Sequence, residues 1–292
     1  MSATDGSKFP LRCLFFGSIG SLAHCSELQW RLFNQALQES VKAGSLRLDQ
    51  SVSVSDIFWD KESYIASLVD TGGSKRLKTL FQAKKVTATD PENSESALEA
   101  VIRSIHQRKS ELFTGEINAG GICLRPGIRE LLRACKVAGV KTGFCTTTDK
   151  RVMEAFVKNL DLEDFFDVTI SEESLAEYGN RKKPAPDCYW HIVKKMTGVD
   201  TAQNAAQDSD RSLRICAIED TQISLASPVA AGIPSIAIPS EWAVGQDFSA
   251  AKLRVAKLAE LVGDETGIVL DAPDNEFGRK ALQAVAKACG FE

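Results

Sequence analysis

The sequence predicts an α/β protein, a doubly wound parallel sheet with a helical domain inserted after the first strand. Three observations support this. Five short apolar runs have the length of buried strands, helical patterns separate most of them, and one long helical stretch interrupts the alternation near the N-terminus. Strands that alternate with helices are typical of a parallel sheet covered on both faces.

The five apolar runs are bounded by turn residues, as strands buried on both faces are. In chain order they cover residues 11–16, 140–145, 167–170, 213–218 and 234–238. The segment 126–139 lies between the first two runs and places apolar residues at 128, 131, 132 and 135. This spacing puts them on one face of a helix.

The stretch from residue 26 to about 115 shows mainly helical patterns, with "TGGSKR" at 71–76 as its one obvious loop. We therefore predict two domains. Residues 1–25 and 116–292 form the α/β core, and residues 26–115 form a helical cap.

Composition excludes several classes of function. The 292 residues carry a formal net charge of −4, which does not favour nucleic-acid binding. No apolar run reaches the roughly 18 residues that span a membrane, and the first residues lack the pattern of a signal peptide. We therefore expect a cytoplasmic protein. A trimmed organelle protein, such as one from a plastid, has the same features. The eight cysteines form no Cys-x-x-Cys pair, which indicates buried reduced thiols.

Ligands of open α/β sheets bind at the carboxyl ends of the strands. Here the first strand is followed by "GSIGS" at 17–21, the second by Thr146 and Thr147, and the fourth by Glu219 and Asp220. A loop before the fourth strand, "RKKPAPDCYW" at 181–190, holds Lys183 next to a proline. These positions are the candidate site.

Three of these segments resemble motifs of the haloacid dehalogenase superfamily of phosphatases: "CTTT", "KKPAPD" and "IEDT". The sequence is still more similar to the CbbY group of sugar-bisphosphate phosphatases. That similarity covers about residues 10–250 and includes "TGGSKRL" at 71–77, "LRPGIREL" at 124–131 and the segment 218–242.

The resemblance assigns roles to individual residues. It implies that Thr146, Thr147 and Lys183 bind phosphate and that Glu219 and Asp220 hold Mg²⁺. It also implies a substrate loop in the cap, formed by Gly72, Gly73, Lys75 and Arg76. Each assignment has an ordinary structural alternative: a helix N-cap for the threonines, a solvated loop lysine for Lys183, a plain turn for the glycines, and structural partners of Lys183 for the two acidic residues.

The first motif departs from the family pattern Asp-x-Asp-Gly-Thr-Leu. Gly17 stands at the position of the nucleophilic aspartate and Ile19 at that of the acid/base aspartate. Neither residue can attack phosphorus or transfer a proton. Loss of the first carboxylate also removes a Mg²⁺ ligand, so we expect weak metal binding. Ser18, the neighbour of Gly17, is expected to point to the opposite face of the strand.

Two functions follow from this pattern. The first is a non-catalytic pseudophosphatase that binds a phosphorylated metabolite, such as a sugar phosphate, or a protein partner. The alternative is a hydrolase, a sugar-phosphate phosphatase whose mechanism does not use the missing aspartates. The degenerate first motif favours the first function.

Overall fold

The computed structural model describes residues 9–70, 72–89, 94–175, 181–198, 213–263 and 275–291. Within these ranges the strands are β1 Cys13–Phe16, β2 Leu46–Arg47, β3 Thr87–Ala88, β4 Lys141–Cys145, β5 Val168–Ile170, β6 Ile215–Glu219, β7 Ser235–Ala237 and β8 Leu253–Arg254. The α-helices are α1 Ile19–Leu22, α2 Ser26–Lys42, α3 Lys61–Ser67, α4 Gly73–Ala83, α5 Ser94–Asn118, α6 Ile128–Ala138, α7 Lys150–Asn159, α8 Glu172–Leu175, α9 Asp187–Thr197, α10 Gln222–Ala230 and α11 Glu276–Ala288.

Six strands form one sheet in the order β5-β4-β1-β6-β7-β8. Every neighbouring pair is parallel. The chain moves outward from β1 first in one direction and then in the other, so the strand order reverses beside β1. This is the predicted α/β fold class, which the structure confirms.

Burial on both faces explains why the strands are rich in apolar residues. All four residues of β1 and all five of β6 are buried. Helix α6 covers one face, and its predicted apolar positions Ile128, Leu131, Leu132 and Cys135 are all buried. Helix α9 contributes to a second apolar cluster that contains Phe15 of β1.

Some local predictions were wrong. Residues 187–190 were predicted as loop but begin α9, and residues 73–76 were predicted as loop but begin α4. Strand β8 was not predicted, because two residues at the edge of a sheet leave no apolar run. A short antiparallel pair, β2 with β3, lies inside the stretch predicted as helical.

The chain divides into two compact units. The first comprises residues 1–24, 123–147 and 160–292, and the second comprises 25–122 and 148–159. These limits differ from the predicted 26–115 because α5 continues unbroken to Asn118 and because α7 packs against α5. In the part of the chain that the structure describes, no helix combines the length and the apolar character needed to cross a membrane.

Candidate functional site

The candidate site lies in the first unit, where three neighbouring strands end together. Phe16 of β1 is in register with Phe144 of β4 and with Ile218 of β6. The residues that follow these strands therefore meet at one edge of the sheet. Gly17 is fixed there because its backbone N–H donates to the carbonyl of Ile218, with a nitrogen–oxygen distance of 3.1 Å.

Lys183 reaches the same edge from the turn before α9. Its side chain is almost fully buried, so it is not a solvated loop lysine. The ammonium donates to the backbone carbonyls of Gly17 and Cys145 and lies 2.7 Å from Oε1 of Glu219. Burial lowers the pKa of Lys183, but the charged and polar groups around it, Glu219 first among them, together raise this pKa above the ordinary value. The lysine is therefore charged.

Glu219 ends β6 and has no exposed surface. Besides Lys183 it accepts a hydrogen bond from the hydroxyl of Tyr189, 2.7 Å from Oε1. Burial raises the pKa of Tyr189, which keeps that hydroxyl protonated. Tyr189 is not among the site residues that the sequence predicts. The tyrosine lies two residues after the start of α9, six positions after Lys183, but it had been placed in a loop.

The Glu219 carboxylate and the Tyr189 hydroxyl occupy the space beside Gly17. A Cβ atom built on Gly17 would overlap both groups. Ile19, which stands at the second aspartate position of the family's first motif, is a buried apolar residue that begins α1. The space beside Gly17, the position that the sequence resemblance assigns to the nucleophile, is therefore occupied by a carboxylate that comes from another strand and is already bound to a lysine.

The predicted direction of the Ser18 side chain was wrong. Its side chain does not leave on the far side of the sheet, because β1 ends at Phe16 and Ser18 is the N-cap of α1. The hydroxyl donates to Oδ1 of Asp220 at 2.7 Å and accepts from the backbone N–H of Ser21 at 3.1 Å. Asp220 thus pairs with Ser18, and only Glu219 pairs with Lys183.

Arg125 holds the turn that contains Gly20. This buried arginine donates to the carbonyl of Gly20 at 3.1 Å and to those of Ile238 and Pro239 at 2.7 and 2.8 Å. A planar guanidinium carries donors in a fixed fork and so can bind several carbonyls at once. The loop after β1 is therefore tied to the loop after β7.

Thr146 and Thr147 follow β4 at the same edge. Thr146 is buried, and its backbone N–H donates to the carbonyl of Ile170. Neither threonine is the N-cap of α7, because that helix begins at Lys150 and the carboxylate of Asp149 accepts from its second residue. The N-cap explanation for the threonines is therefore wrong.

The predicted substrate loop lies in the second unit. Gly72 adopts a positive φ of 77° and precedes α4, so Lys75 and Arg76 are helical. Exposed Lys75 pairs with Asp70 at 3.0 Å. Arg76 instead turns inward and donates to the hydroxyl of Tyr64 at 3.1 Å.

A buried lysine shares this aromatic environment. Arg76 and Lys109 both lie over the ring of Phe33, at 5.3 and 5.0 Å from its centroid, and Lys109 also lies 4.8 Å from that of Phe113. Burial, together with the charge of Arg76, lowers the pKa of Lys109 to about 7. Sequence reasoning had missed Lys109, since a lysine on a long helix carries no distinguishing signal.

Comparison with known proteins assigns the family. Residues 33–223 match the family model described as haloacid dehalogenase-like hydrolase. The chain belongs to the haloacid dehalogenase-like hydrolase family. Protein CbbY of Rhodobacter capsulatus is 30% identical over 253 residues, which are 85% of this chain and 94% of that protein. The chain is thus a member of the CbbY-like group. The family match begins after the loop with Gly17 and Ile19.

Solved structures agree with this assignment to the family. The crystal structure of CbbY from Rhodobacter sphaeroides in complex with phosphate matches with a TM-score of 0.65 at 28% identity. The match covers 89% of this chain and all of the CbbY chain. A mutant of the same protein was solved in complex with xylulose-(1,5)bisphosphate and has a TM-score of 0.65 at 27% identity. Both matches cover 89% of this chain.

Proposed function

We propose that this chain is a non-catalytic member of the CbbY-like group, a pseudophosphatase. One observation carries the proposal: the space beside Gly17 is filled by the carboxylate of Glu219 and the hydroxyl of Tyr189. An aspartyl-phosphate mechanism needs a free carboxylate that faces the phosphorus atom. The Glu219 carboxylate is buried, paired with Lys183 and hydrogen bonded to Tyr189, so it does not replace that nucleophile.

The side chain that would act as general acid and base is missing as well. Ile19 can neither protonate a leaving alcohol nor activate a water molecule. Loss of a single catalytic nucleophile or base costs about 10⁴- to 10⁶-fold in rate in other enzymes. Both losses together predict no useful turnover by the family's chemistry.

The donor set also argues for weak Mg²⁺ binding. Magnesium takes six oxygen ligands in near-octahedral geometry. Of the two retained carboxylates, Glu219 is bound to Lys183, and Asp220 accepts from Ser18. Among the residues that the structure describes, no three His, Cys, Asp or Glu side chains form a metal cluster. The residues present do not fit the metal site that the family implies, and no step is assigned to a metal.

The ligand class follows from what is retained. Thr146, Thr147 and Lys183 remain at the edge of the sheet, and the CbbY relative was solved with phosphate and with a sugar bisphosphate. We therefore propose a phosphorylated sugar as ligand. Because Glu219 already neutralises Lys183, the affinity for phosphate should be lower than in a site with a free lysine.

Turnover and binding must be measured separately. The chain is incubated with xylulose bisphosphate, ribulose bisphosphate and an aryl phosphate, and phosphate release is followed with CbbY as a positive control. Thermal stabilisation by the same sugar phosphates is measured in parallel. We expect stabilisation without phosphate release. Phosphate release that Asp220→Asn abolishes would overturn the proposal.

Substitutions assign the binding to the site. Thr147→Val removes a half-buried hydroxyl of the proposed site, and it should weaken the stabilisation by sugar phosphates several-fold. Lys182→Met is the matched control, because Lys182 is a partly exposed neighbour of Lys183 that pairs with Glu172 at 2.6 Å. If no sugar phosphate stabilises the protein, a protein partner replaces the metabolite as the proposed ligand.

One contact favours the alternative, a hydrolase with a different nucleophile. The hydroxyl of Ser18 lies 2.7 Å from the carboxylate of Asp220 at the strand end where the family's nucleophile stands. In that mechanism the oxygen of Ser18 attacks phosphorus, its proton passes to Asp220 and from there to the leaving alcohol, and water then hydrolyses the phosphoserine to release phosphate. Ser18→Ala would then abolish any phosphate release, whereas Ser21→Ala, which alters another hydroxyl of the same turn, would not.

A further inference from the structure

Two buried cysteines of the first unit meet on the other face of the sheet. Cys216 lies in β6, three residues before Glu219, so their side chains leave opposite faces of the strand. Cys289 is the C-cap of α11. Both thiols are buried, and their sulfur atoms are 2.6 Å apart.

This separation leaves no room for another atom between the thiols. Nonbonded heavy atoms rest at about 3.5–4.0 Å from each other, whereas the sulfur atoms of a disulfide bond are about 2.05 Å apart. The two side chains are therefore directed at each other across the junction of strand and helix, where a small displacement separates contact from covalent bonding.

We propose that Cys216 and Cys289 form a disulfide bond when the protein meets a peroxide oxidant, and that this bond ties the C-terminal helix to the central strand β6. The proposal concerns a modification site, and it does not depend on the proposed ligand.

The reaction with hydrogen peroxide balances in two steps. The sulfur of Cys289 first takes one oxygen atom from peroxide, which yields a sulfenic acid and one water molecule. The sulfur of Cys216 then displaces the hydroxyl group, the sulfur–sulfur bond forms, and the thiol proton leaves with that hydroxyl as a second water molecule. The two sulfur atoms together lose two electrons, which reduce the peroxide.

The order of the steps follows from position. Cys289 lies at the end of the last helix, and helix ends open locally more readily than central strands. Burial raises the pKa of the Cys216 thiol, which holds this group protonated and slow toward an external oxidant. Cys289 is therefore the first to react, and Cys216 resolves the intermediate.

A second thiol pair offers a direct comparison. Cys145 of β4 and Cys188 of α9 also interact, but on the face that carries Lys183 and Glu219. Both of these thiols are completely buried, whereas Cys289 keeps a small exposed surface. The end of α11 therefore gives the Cys216–Cys289 pair the better access to an oxidant.

Peptide mapping tests the bond. The whole protein is treated with hydrogen peroxide, unfolded, alkylated without reductant and digested. We expect two of the eight cysteines to escape alkylation and to appear in one cross-linked peptide that joins residues 216 and 289. The same treatment should raise the melting temperature by a few degrees, because the bond closes a long loop of the unfolded chain, and a dithiol reductant should reverse the rise.

Two variants complete the experiment. Cys289→Ser should keep its remaining seven thiols and show no rise in melting temperature. Cys123→Ser, which removes an exposed thiol, should behave like the unchanged protein. Full alkylation of the oxidised unchanged protein, or a cross-link between Cys145 and Cys188 instead, would overturn the proposal. Because the mapping uses the unchanged chain, the test holds even if Cys289→Ser fails to fold.

Discussion

Glu219 lies where a side chain at position 17 would stand. Gly17 directly follows β1, and Glu219 is the last residue of the adjacent parallel strand β6, so its carboxylate fills the space that the glycine leaves empty. Lys183 and Tyr189 both bind this carboxylate. A buried carboxylate that already binds a lysine and a tyrosine therefore stands beside residue 17, and this explains why introducing an aspartate there would not simply restore the family's site.

We expect Gly17→Asp, alone or with Ile19→Asp, to yield no phosphatase activity. The new carboxylate would meet that of Glu219 in a buried site, and the unfolding free energy should fall by about 3 kcal/mol or more. Gly115→Asp is the control, because a Cβ there meets open space. Urea unfolding and a phosphate-release assay measure both effects. Activity of the double variant near that of CbbY would contradict the reasoning.

The Lys183–Glu219 pair should behave as a coupled unit. Lys183→Met and Glu219→Gln each leave a buried group without its charged partner, so each should lower the unfolding free energy by about 3–5 kcal/mol. The double variant should lose clearly less than the sum of the two. Lys182→Met, which breaks a more exposed pair with Glu172, should cost less than about 1 kcal/mol. Additive losses in urea unfolding would show that the two residues are independent.

Replacing Arg125 should destabilise the first unit. Arg125→Met leaves the carbonyls of Gly20, Ile238 and Pro239 without the guanidinium, at a cost of about 3 kcal/mol or more. Arg125→Lys should recover only part of this loss, because an ammonium lacks the planar fork of donors. Thermal unfolding measures both variants. Equal stability of the methionine and lysine variants would show that the fork geometry is unimportant.

The lowered pKa of Lys109 predicts that the stability of the protein depends on pH. Its folded pKa of about 7 lies below the ordinary 10.5, so between these values the unfolded chain binds a proton that the folded chain does not. The unfolding free energy of the unchanged protein, relative to that of Lys109→Met, should therefore rise with pH between about 7 and 10.5, by about 1 kcal/mol per pH unit. Below about pH 7 this difference should be at its lowest and should not change with pH. Lys158→Met, which replaces an exposed lysine, is measured alongside as the control variant.

Magnesium should bind weakly. Titration calorimetry of the unchanged protein should show no binding at micromolar Mg²⁺, and Asp220→Asn should give the same trace, because Asp220 already pairs with Ser18. CbbY serves as the positive control. Micromolar affinity that disappears in Asp220→Asn would reveal a ligand set that the side-chain contacts do not suggest.

The sheet could be predicted from the sequence because its strands are buried on both faces. Strand β1 reads as an unbroken apolar run that ends at Phe16, and the predicted ends of the five main strands lie within two residues of the observed ones. The strand ends then placed Gly17, Thr146 and Asp220 at one edge without further information.

The contacts between side chains could not be predicted in the same way. The pairing of Ser18 with Asp220 depends on where β1 gives way to α1, and one residue of difference reverses the direction of a side chain. Tyr189 and Lys109 enter their clusters through helix packing, which no local pattern encodes. The departures from the family's first motif at Gly17 and Ile19 were visible in the sequence, but the groups that fill the space beside Gly17 were not.

The ammonium of Lys183 is held in large part by peptide groups, the carbonyls of Gly17 and Cys145. Main-chain oxygens persist whatever amino acid occupies a position. A substitution at residue 145 that preserves β4 will therefore keep this anchor of Lys183 at the edge of the sheet. Related proteins could therefore exchange the reactive side chains at this site and still keep a lysine there. A preference for a different anion could evolve from that lysine.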